Sequence, residues 1–173
     1  MQYTRLTAVE QSGIMSALAR MPQWLRAAVE ELPPELLRAP GPAGAFSPVE
    51  QVWHLADLER EGFGVRIRRL QHEHKPQLPD FDGTRIANER NYRALSLADG
   101  LCAFAAARAE NLAVLGAVPA TDWMRDGTQD GVGPVSLCDM PVFLRQHDAA
   151  HMAEIREWRR HQGLDPGAAE DNA

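Results

Sequence analysis

Residues 136–163 read SLCDMPVFLRQHDAAHMAEIREWRRHQG, and this stretch is the most informative part of the chain for the fold. The segment Ser136–Asp139 is expected to cap a helix at its start, and Gly163 suits a helix end. At about 100° per residue, the large apolar side chains share one arc of this helix. They are Met140, Phe143, Leu144, Ile155 and Trp158. A helix with one such face is expected to pack into the core of a helical protein.

Two histidines lie in the middle of the same arc. His147 and His151 are about 40° apart and one turn along, so both are expected to point into the core. Burying two imidazoles is costly unless each finds a partner, and one metal ion satisfies both. The alternative is two neutral histidines, each hydrogen-bonded to a neighbouring helix. For the pair we favour the metal, whereas Asp148 points about 100° away and is predicted to lie at the surface.

Three further stretches have helical periodicity, and no stretch has a convincing alternating strand pattern. They are residues 7–32, with a possible kink at Pro22, residues 47–70, and residues 96–116. The second begins with a capping box, in which Ser47 is the N-cap, Pro48 the first helical residue and Glu50 the partner. A long connection follows this second helix, with a possible short helix near residues 85–92. Another long connection precedes the last helix. The pattern predicts an all-α four-helix bundle with long crossover connections.

A third metal ligand is expected from another helix, because two ligands rarely suffice. His54 lies in the second turn after the Ser47 cap, at the margin of an apolar arc. A half-exposed histidine on a helix shoulder is the alternative. Glu154, three residues after His151, is a candidate to orient a ligand, to bind the metal or to act as an acid/base catalyst. It equally fits a carboxylate at the edge of the face, paired with an arginine.

The remaining chemistry-bearing residues are assigned lesser roles. His72 and His74 lie in a polar helix end, and His161 lies in the last turn of the final helix, where an imidazolium favours the helix dipole. Cys138 near a helix start could carry thiol chemistry, but no partner supports it. Cys102, within an apolar helix, is predicted to pack in the core.

The composition excludes several classes of function. The net charge is −6, from 18 basic and 24 acidic residues, which disfavours nucleic acid and anionic lipid as partners. No secretory signal is recognised, and no apolar run approaches the ~18–20 residues that span a bilayer. Two cysteines are too few for a disulfide framework. We expect a single cytoplasmic domain over residues 1–173, with its core at about residues 5–162 and a flexible tail at 164–173.

Two segments carry a resemblance to a known family. Residues 47–59 read SPVEQVWHLADLE and residues 147–158 read HDAAHMAEIREW. In sequence and order they resemble the DinB-like/YfiT superfamily, over about residues 5–162. The resemblance implies a four-helix bundle of up-down-down-up type, often dimeric, with a metal bound by three histidines that map onto His54, His147 and His151. Position 154 often carries Gln in such helices, whereas this chain has Glu.

Three imidazoles favour zinc, nickel or ferrous iron over magnesium or calcium and leave coordination positions open. Characterised relatives include transferases that use low-molecular-weight thiols, so the first hypothesis is a thiol-dependent S-transferase acting on a small molecule. A metal-dependent hydrolase is the closest alternative, and a non-catalytic, stress-related metal-binding bundle is the third. Trp53, Trp123 and Trp158 could line a substrate pocket, although core packing is more usual for the first and last. A homodimer is expected from base rates and from the resemblance.

Overall fold

The computed structural model describes residues 4–166, and these form a four-helix bundle with a small sheet at its side. The helices are α1 (Ala8–Glu30), α2 (Pro48–Asp57), α3 (Gly64–His72), α4 (Gly83–Glu89), α5 (Leu97–Gly116) and α6 (Asp139–His161). The long helices α1, α5 and α6 each contribute one member of the bundle, and α2 with α3 forms the other. The short helix α4 lies in the connection before α5. The predicted all-α bundle with long crossover connections is confirmed.

The predicted capping box at the start of α2 is present. The Glu50 carboxylate accepts from the Ser47 backbone N–H at 2.9 Å, the Ser47 hydroxyl accepts from the Glu50 N–H, and Pro48 is the first helical residue. An equivalent box of Thr7 and Glu10 opens α1. Pro22 lies inside α1 without splitting it. Local capping thus fixes where these two helices begin.

A π-helical turn, Leu58–Phe63, joins α2 to α3. The helix is therefore continuous from Pro48 to His72, close to the predicted residues 47–70. The wider turn points Glu59 inward, and the Asn111 side chain of α5 donates to the Glu59 carbonyl at 2.8 Å and to its carboxylate at 3.0 Å. Local sequence does not indicate this turn, because its residues fit an ordinary helix equally well.

The bundle buries two apolar clusters with polar residues between them. The main helix contacts are those of α2 with α5 and of α1 with both α5 and α6. One cluster includes Leu58 and Leu144, and the other includes Leu55 and Ile155. Along α6 the two histidines lie between Leu144 and Ile155. The layer between the clusters is where the functional side chains meet.

The expectation that the chain lacks strands is wrong. Three short strands, β1 (Gln77–Leu78), β2 (Asp126–Gln129) and β3 (Gly133–Ser136), form one sheet in the order β1-β2-β3. β1 pairs parallel to β2, and β2 pairs antiparallel to β3. These strands are only two to four residues long and contain Asp, Gly, Thr, Gln and Pro, so no alternating apolar pattern could reveal them.

The structure differs from the sequence-based expectations at Ser136 and Cys102, and it describes only part of the C-terminal tail. Ser136 ends β3 and does not cap α6; its N–H and hydroxyl donate to the Asp139 carboxylate, both at 2.7 Å. Cys102 is exposed, not packed, because α5 carries alanine on its outer face as well. Most of the predicted flexible tail, residues 167–173, lies outside the described residues, whereas Leu164 packs against the second apolar cluster.

Candidate metal centre

The structure brings together the three histidines that the sequence singled out. His54 comes from α2, and His147 and His151 come from α6. One nitrogen of each ring lies within 4.8 Å of the others. His151 is 6% exposed, and the other two are partly buried. The three rings therefore converge from two helices on one point between the apolar clusters.

The spacing of the two α6 histidines fits a shared metal ion. His147 Nε2 and His151 Nε2 lie 3.1 Å apart. Zinc–nitrogen bonds of about 2.0–2.1 Å at a tetrahedral angle place two ligand nitrogens roughly 3.3 Å apart. The observed separation also permits a hydrogen bond between the rings, so the surrounding groups must distinguish the two.

His151 is held by two acceptors on its other nitrogen. Its Nδ1 lies 2.5 Å from Gln51 Oε1 and 3.0 Å from a Glu154 carboxylate oxygen, and Gln51 Nε2 donates to the same carboxylate at 2.8 Å. Because both partners accept, the neutral ring carries its proton on Nδ1 and presents the Nε2 lone pair to His147. This is the arrangement that carboxylates impose on metal-binding histidines.

His54 has an unsatisfied polar atom. Its Nδ1 is buried and has no hydrogen-bond partner among the described residues. The Phe46 and Phe81 rings lie beside it, with centroids 5.6 Å and 6.0 Å from that of the imidazole. Gly83, the first residue of α4, packs directly against the edge of the His54 ring. A Cβ at this position would lie 2.4 Å from Cε1 and 2.6 Å from Nδ1 of His54. The alternative, a half-exposed histidine on a helix shoulder, does not account for a ring whose Nδ1 is buried.

The protonation states suit metal binding. Burial lowers the pKa of His54 to about 4 and that of His147 to about 3, and the neighbouring histidines add to both shifts. The hydrogen bond from His151, followed by that from Gln51, lowers the pKa of Glu154 to about 2. Near pH 7 His54 and His147 are therefore neutral, and Glu154 is charged. Neutral imidazole is the form that binds a metal.

The connection between α3 and α5, which contains Phe81 and Gly83, is anchored to Asp57 of α2, about one turn after His54. Asp57, 1% exposed, accepts from the Tyr92 hydroxyl at 2.6 Å and from Arg90 at 2.5 Å. These bonds hold the segment between α3 and α5 against α2, where it covers the His54 ring.

The predicted surface position of Asp148 is wrong. This residue is 5% exposed and forms a two-bond pair with Arg108, at 2.7 Å and 2.8 Å, and Arg108 also contacts Glu59 at 3.0 Å. The buried line of α6 passes through Leu144, Asp148 and His151, at spacings of four and three. The buried face of α6 is therefore broader than the arc inferred from its largest apolar residues.

The other candidate residues lie apart from the centre. His72, His74 and His161 are exposed. Glu154 is not part of the group of converging ring nitrogens, although it contacts His151. Sequence reasoning missed Gln51 and Gly83. The signal for Gln51 was its position three residues before His54 on a buried face; Gly83 gave none, because its role is steric.

Comparison with known proteins identifies the family. The sequence model of the DinB superfamily matches residues 17–155, which is most of the chain. The chain belongs to the DinB superfamily.

Two proteins of comparable length are similar to most of this chain. A Geobacillus thermodenitrificans (strain NG80-2) protein named "Putative metal-dependent hydrolase" is 25% identical over 150 residues, which cover 86% of this chain and 84% of the other. YfiT from Bacillus subtilis, described as "a probable metal-dependent hydrolase with an unusual four-helix bundle topology", has a TM-score of 0.86 at 18% identity. That match covers 95% of this chain and 94% of YfiT. The fold of this DinB superfamily member is thus the YfiT bundle.

No helix within residues 4–166 is both long and apolar enough to cross a membrane.

Proposed function

We propose that this DinB superfamily protein is a metal-dependent enzyme whose divalent metal is bound by His54, His147 and His151. The observation that carries the proposal is the convergence of three imidazoles, of which His151 has its Nδ1 occupied by Gln51 and Glu154. The donor set consists of nitrogen alone, which favours zinc, nickel or ferrous iron over magnesium or calcium.

Hydrolysis of a small-molecule substrate is the reaction that we favour. A divalent metal with three imidazole ligands supplies Lewis acidity and lowers the pKa of a water or thiol at its open position. The names of the two relatives support water as the nucleophile. The rings of Phe46 and Phe81 beside His54 exclude bulk water from one side, which strengthens electrostatic interactions at the reacting atoms.

Glu154 is proposed to position His151 and to carry a proton. Its contacts with His151 and Gln51 fix the imidazole orientation. The carboxylate side chain is 52% exposed, and proton transfer with an attacking water would require it to turn away from the Nδ1 side of His151. That movement would also remove the hydrogen bonds that hold its pKa low. A closed structural site with Glu154 as fourth ligand is the non-catalytic alternative. It would require the carboxylate to leave the Nδ1 side of His151.

Thiol-dependent S-transfer, the first hypothesis from the sequence, is the second candidate here. The donor set supports it, because three imidazole ligands would leave the charge of a bound zinc ion uncompensated, which would favour the thiolate form of a nearby thiol. In that reaction the thiolate sulfur bonds to an electrophilic carbon, the leaving group departs with its electron pair, and the thiol proton passes to Glu154 or to solvent.

The experiment compares the two reactions directly. Zinc-loaded protein would be assayed with p-nitrophenyl acetate in water, and with N-acetylcysteine plus 1-chloro-2,4-dinitrobenzene. Metal-dependent ester hydrolysis that disappears in His151→Ala supports the hydrolase. Metal-dependent thioether formation, with no hydrolysis, supports the transferase instead. Identical rates for zinc-loaded and metal-free protein in both assays would contradict the proposed enzyme for these reaction classes.

Two further expectations accompany the proposal. We infer a homodimer and a cytoplasmic location from the sequence, with a small molecule as the reaction partner. Sedimentation of the purified chain tests the first expectation, and cell fractionation tests the second.

A further inference from the structure

A small cleft adjoins the histidine centre. It has a volume of about 150 Å³ and lies between the segment that precedes α2 and the last two turns of α6. Its apolar walls are Pro42, Ala45, Phe46 and Trp158. Trp158 is 2% exposed, and its indole N–H donates to the Ala39 carbonyl at 2.9 Å, so this wall is fixed in place. The cleft therefore accepts an apolar group of a few heavy atoms.

The cleft connects to the centre through two side chains. Phe46 lines the cleft and lies against His54, with ring centroids 5.6 Å apart. Glu154 lines it too and contacts His151 Nδ1 at 3.0 Å. A molecule in the cleft would therefore lie one side chain away from two of the three histidines.

The surface of the cleft is almost entirely apolar, and two half-exposed carboxylates lie at its rim. Glu154 and Glu157 both line it. Glu157 pairs with Arg160, but the partners of Glu154 are Gln51 and His151, and neither is a permanent cation. Among the described residues, the Glu154 carboxylate thus has no arginine or lysine partner, and it lies at the rim of an apolar cleft. Such a combination suits an organic cation, which places its hydrocarbon part on the rings and its ammonium N–H groups on the carboxylate.

We propose that this cleft is a substrate subsite that binds an apolar group bearing a primary ammonium. The proposal rests on the proposed function in taking the neighbouring centre as the place of reaction, and it names the class of substrate: small amines with a hydrolysable or electrophilic group. Glu154 links the two sites. His151 contacts its Oε2, and an ammonium group in the cleft would contact its Oε1.

The test uses three probes of similar size and different charge. Benzylamine, benzyl alcohol and benzoate would be titrated into the full-length chain, with and without zinc, and followed by amide and indole N–H chemical shifts. A charge-assisted hydrogen bond contributes about 1.5 kcal/mol, so benzylamine is expected to bind roughly tenfold more tightly than benzyl alcohol, and benzoate more weakly still. The largest shift should be that of the Trp158 indole N–H.

Matched variants assign the effect to the cleft. Glu154→Gln and Glu157→Gln keep the side-chain shape and should reduce the preference for benzylamine over benzyl alcohol severalfold, the former more strongly. Ala45→Leu should weaken binding of both probes by filling the cleft. Glu31→Gln changes an exposed carboxylate at the end of α1, outside the cleft, and should leave the preference unchanged.

The outcomes separate this proposal from the metal centre. Equal affinity for benzylamine and benzyl alcohol, or a preference that survives Glu154→Gln, would overturn the ammonium subsite even if zinc binds as proposed. Selective benzylamine binding to a chain that takes up no metal would support the subsite and contradict the proposed enzyme.

Discussion

At the scale of single residues, the position of His54 depends on the absence of a side chain at Gly83. We predict that Gly83→Ala lowers metal affinity about tenfold or more, because the added Cβ would lie 2.4 Å from the imidazole and displace it. No left-handed backbone conformation complicates this substitution. The affinity would be measured by competition with a chelator.

Gly13→Ala is the matched control. Gly13 lies in α1 with open space around its Cα, so the substitution should leave metal affinity unchanged and slightly stabilise the helix. Equal metal affinity in Gly83→Ala and the unaltered chain would show that the position of His54 does not matter for binding.

The histidines should also make the metal-free protein sensitive to acid. Burial lowers the pKa of His54 to about 4 and that of His147 to about 3, whereas an unfolded histidine titrates near its ordinary value of 6.5. Below that value the unfolded chain binds more protons, so the free energy of unfolding falls as the pH drops from about 6.5 toward 4. Each histidine contributes a slope of up to about 1.4 kcal/mol per pH unit.

Urea denaturation at several pH values tests this slope. His54→Asn should flatten the dependence between pH 6.5 and 4, and the exposed His72→Asn should not. An unchanged slope in His54→Asn would mean that this ring is not held neutral by burial.

At the scale of the helix, the Ser47 capping box holds the start of α2, seven residues before His54. Ser47 is fully buried, whereas the equivalent Thr7 in α1 lies in an exposed box. We predict that Ser47→Ala lowers the free energy of unfolding by about 1–2 kcal/mol, and Thr7→Ala by less than about 1 kcal/mol. Thermal and urea denaturation measure both, and a larger effect of Thr7→Ala would contradict the account.

The elements differ in how far their sequences reveal them. Capping residues and apolar periodicity are local, so the four long helices and the Ser47 box were predictable within a few residues. The π turn at Leu58–Phe63 depends on Asn111, which lies about fifty residues further along the chain. The parallel pair β1 and β2 likewise depends on a distant connection. Local patterns contain no information about such partners.

At the scale of the whole molecule, a polar layer crosses the bundle between the two apolar clusters. Arg108 of α5 joins Asp148 of α6 to Glu59 of the π turn, and all three are nearly fully buried. We predict that Asp148→Ala lowers the free energy of unfolding by about 3–5 kcal/mol, because it leaves the guanidinium short of a partner in the interior. Urea denaturation would measure this loss.

The control is an exposed ion pair of the same chemistry. Glu30→Ala removes the partner of Arg26, whose side chain is 44% exposed, and should lower the free energy of unfolding far less than Asp148→Ala does. Comparable losses for Asp148→Ala and Glu30→Ala would contradict a structural role for the buried layer.

The candidate centre was only partly predictable at this scale. The pair His147 and His151 follows from helical spacing, and His54 from its position after a cap. The surroundings of these rings come from elements that are distant in sequence. The offset of Asp148 by about 100° from the histidines suggested a surface position, because its buried partner Arg108 lies on α5, forty residues away. Packing between elements, and not local pattern, decides which charged residues are buried.

The central claim is that His54, His147 and His151 together bind one divalent metal ion, and metal content tests it most directly. Untagged protein would be purified and its metal measured by plasma mass spectrometry, beside His54→Ala, His147→Ala, His151→Ala and the exposed control His72→Ala. We predict close to one zinc, nickel or iron ion per chain in the unaltered protein and in His72→Ala, and loss of the metal in the other three variants. A chain that binds no metal even after reconstitution, or that keeps it in any one of the three variants, would contradict the account.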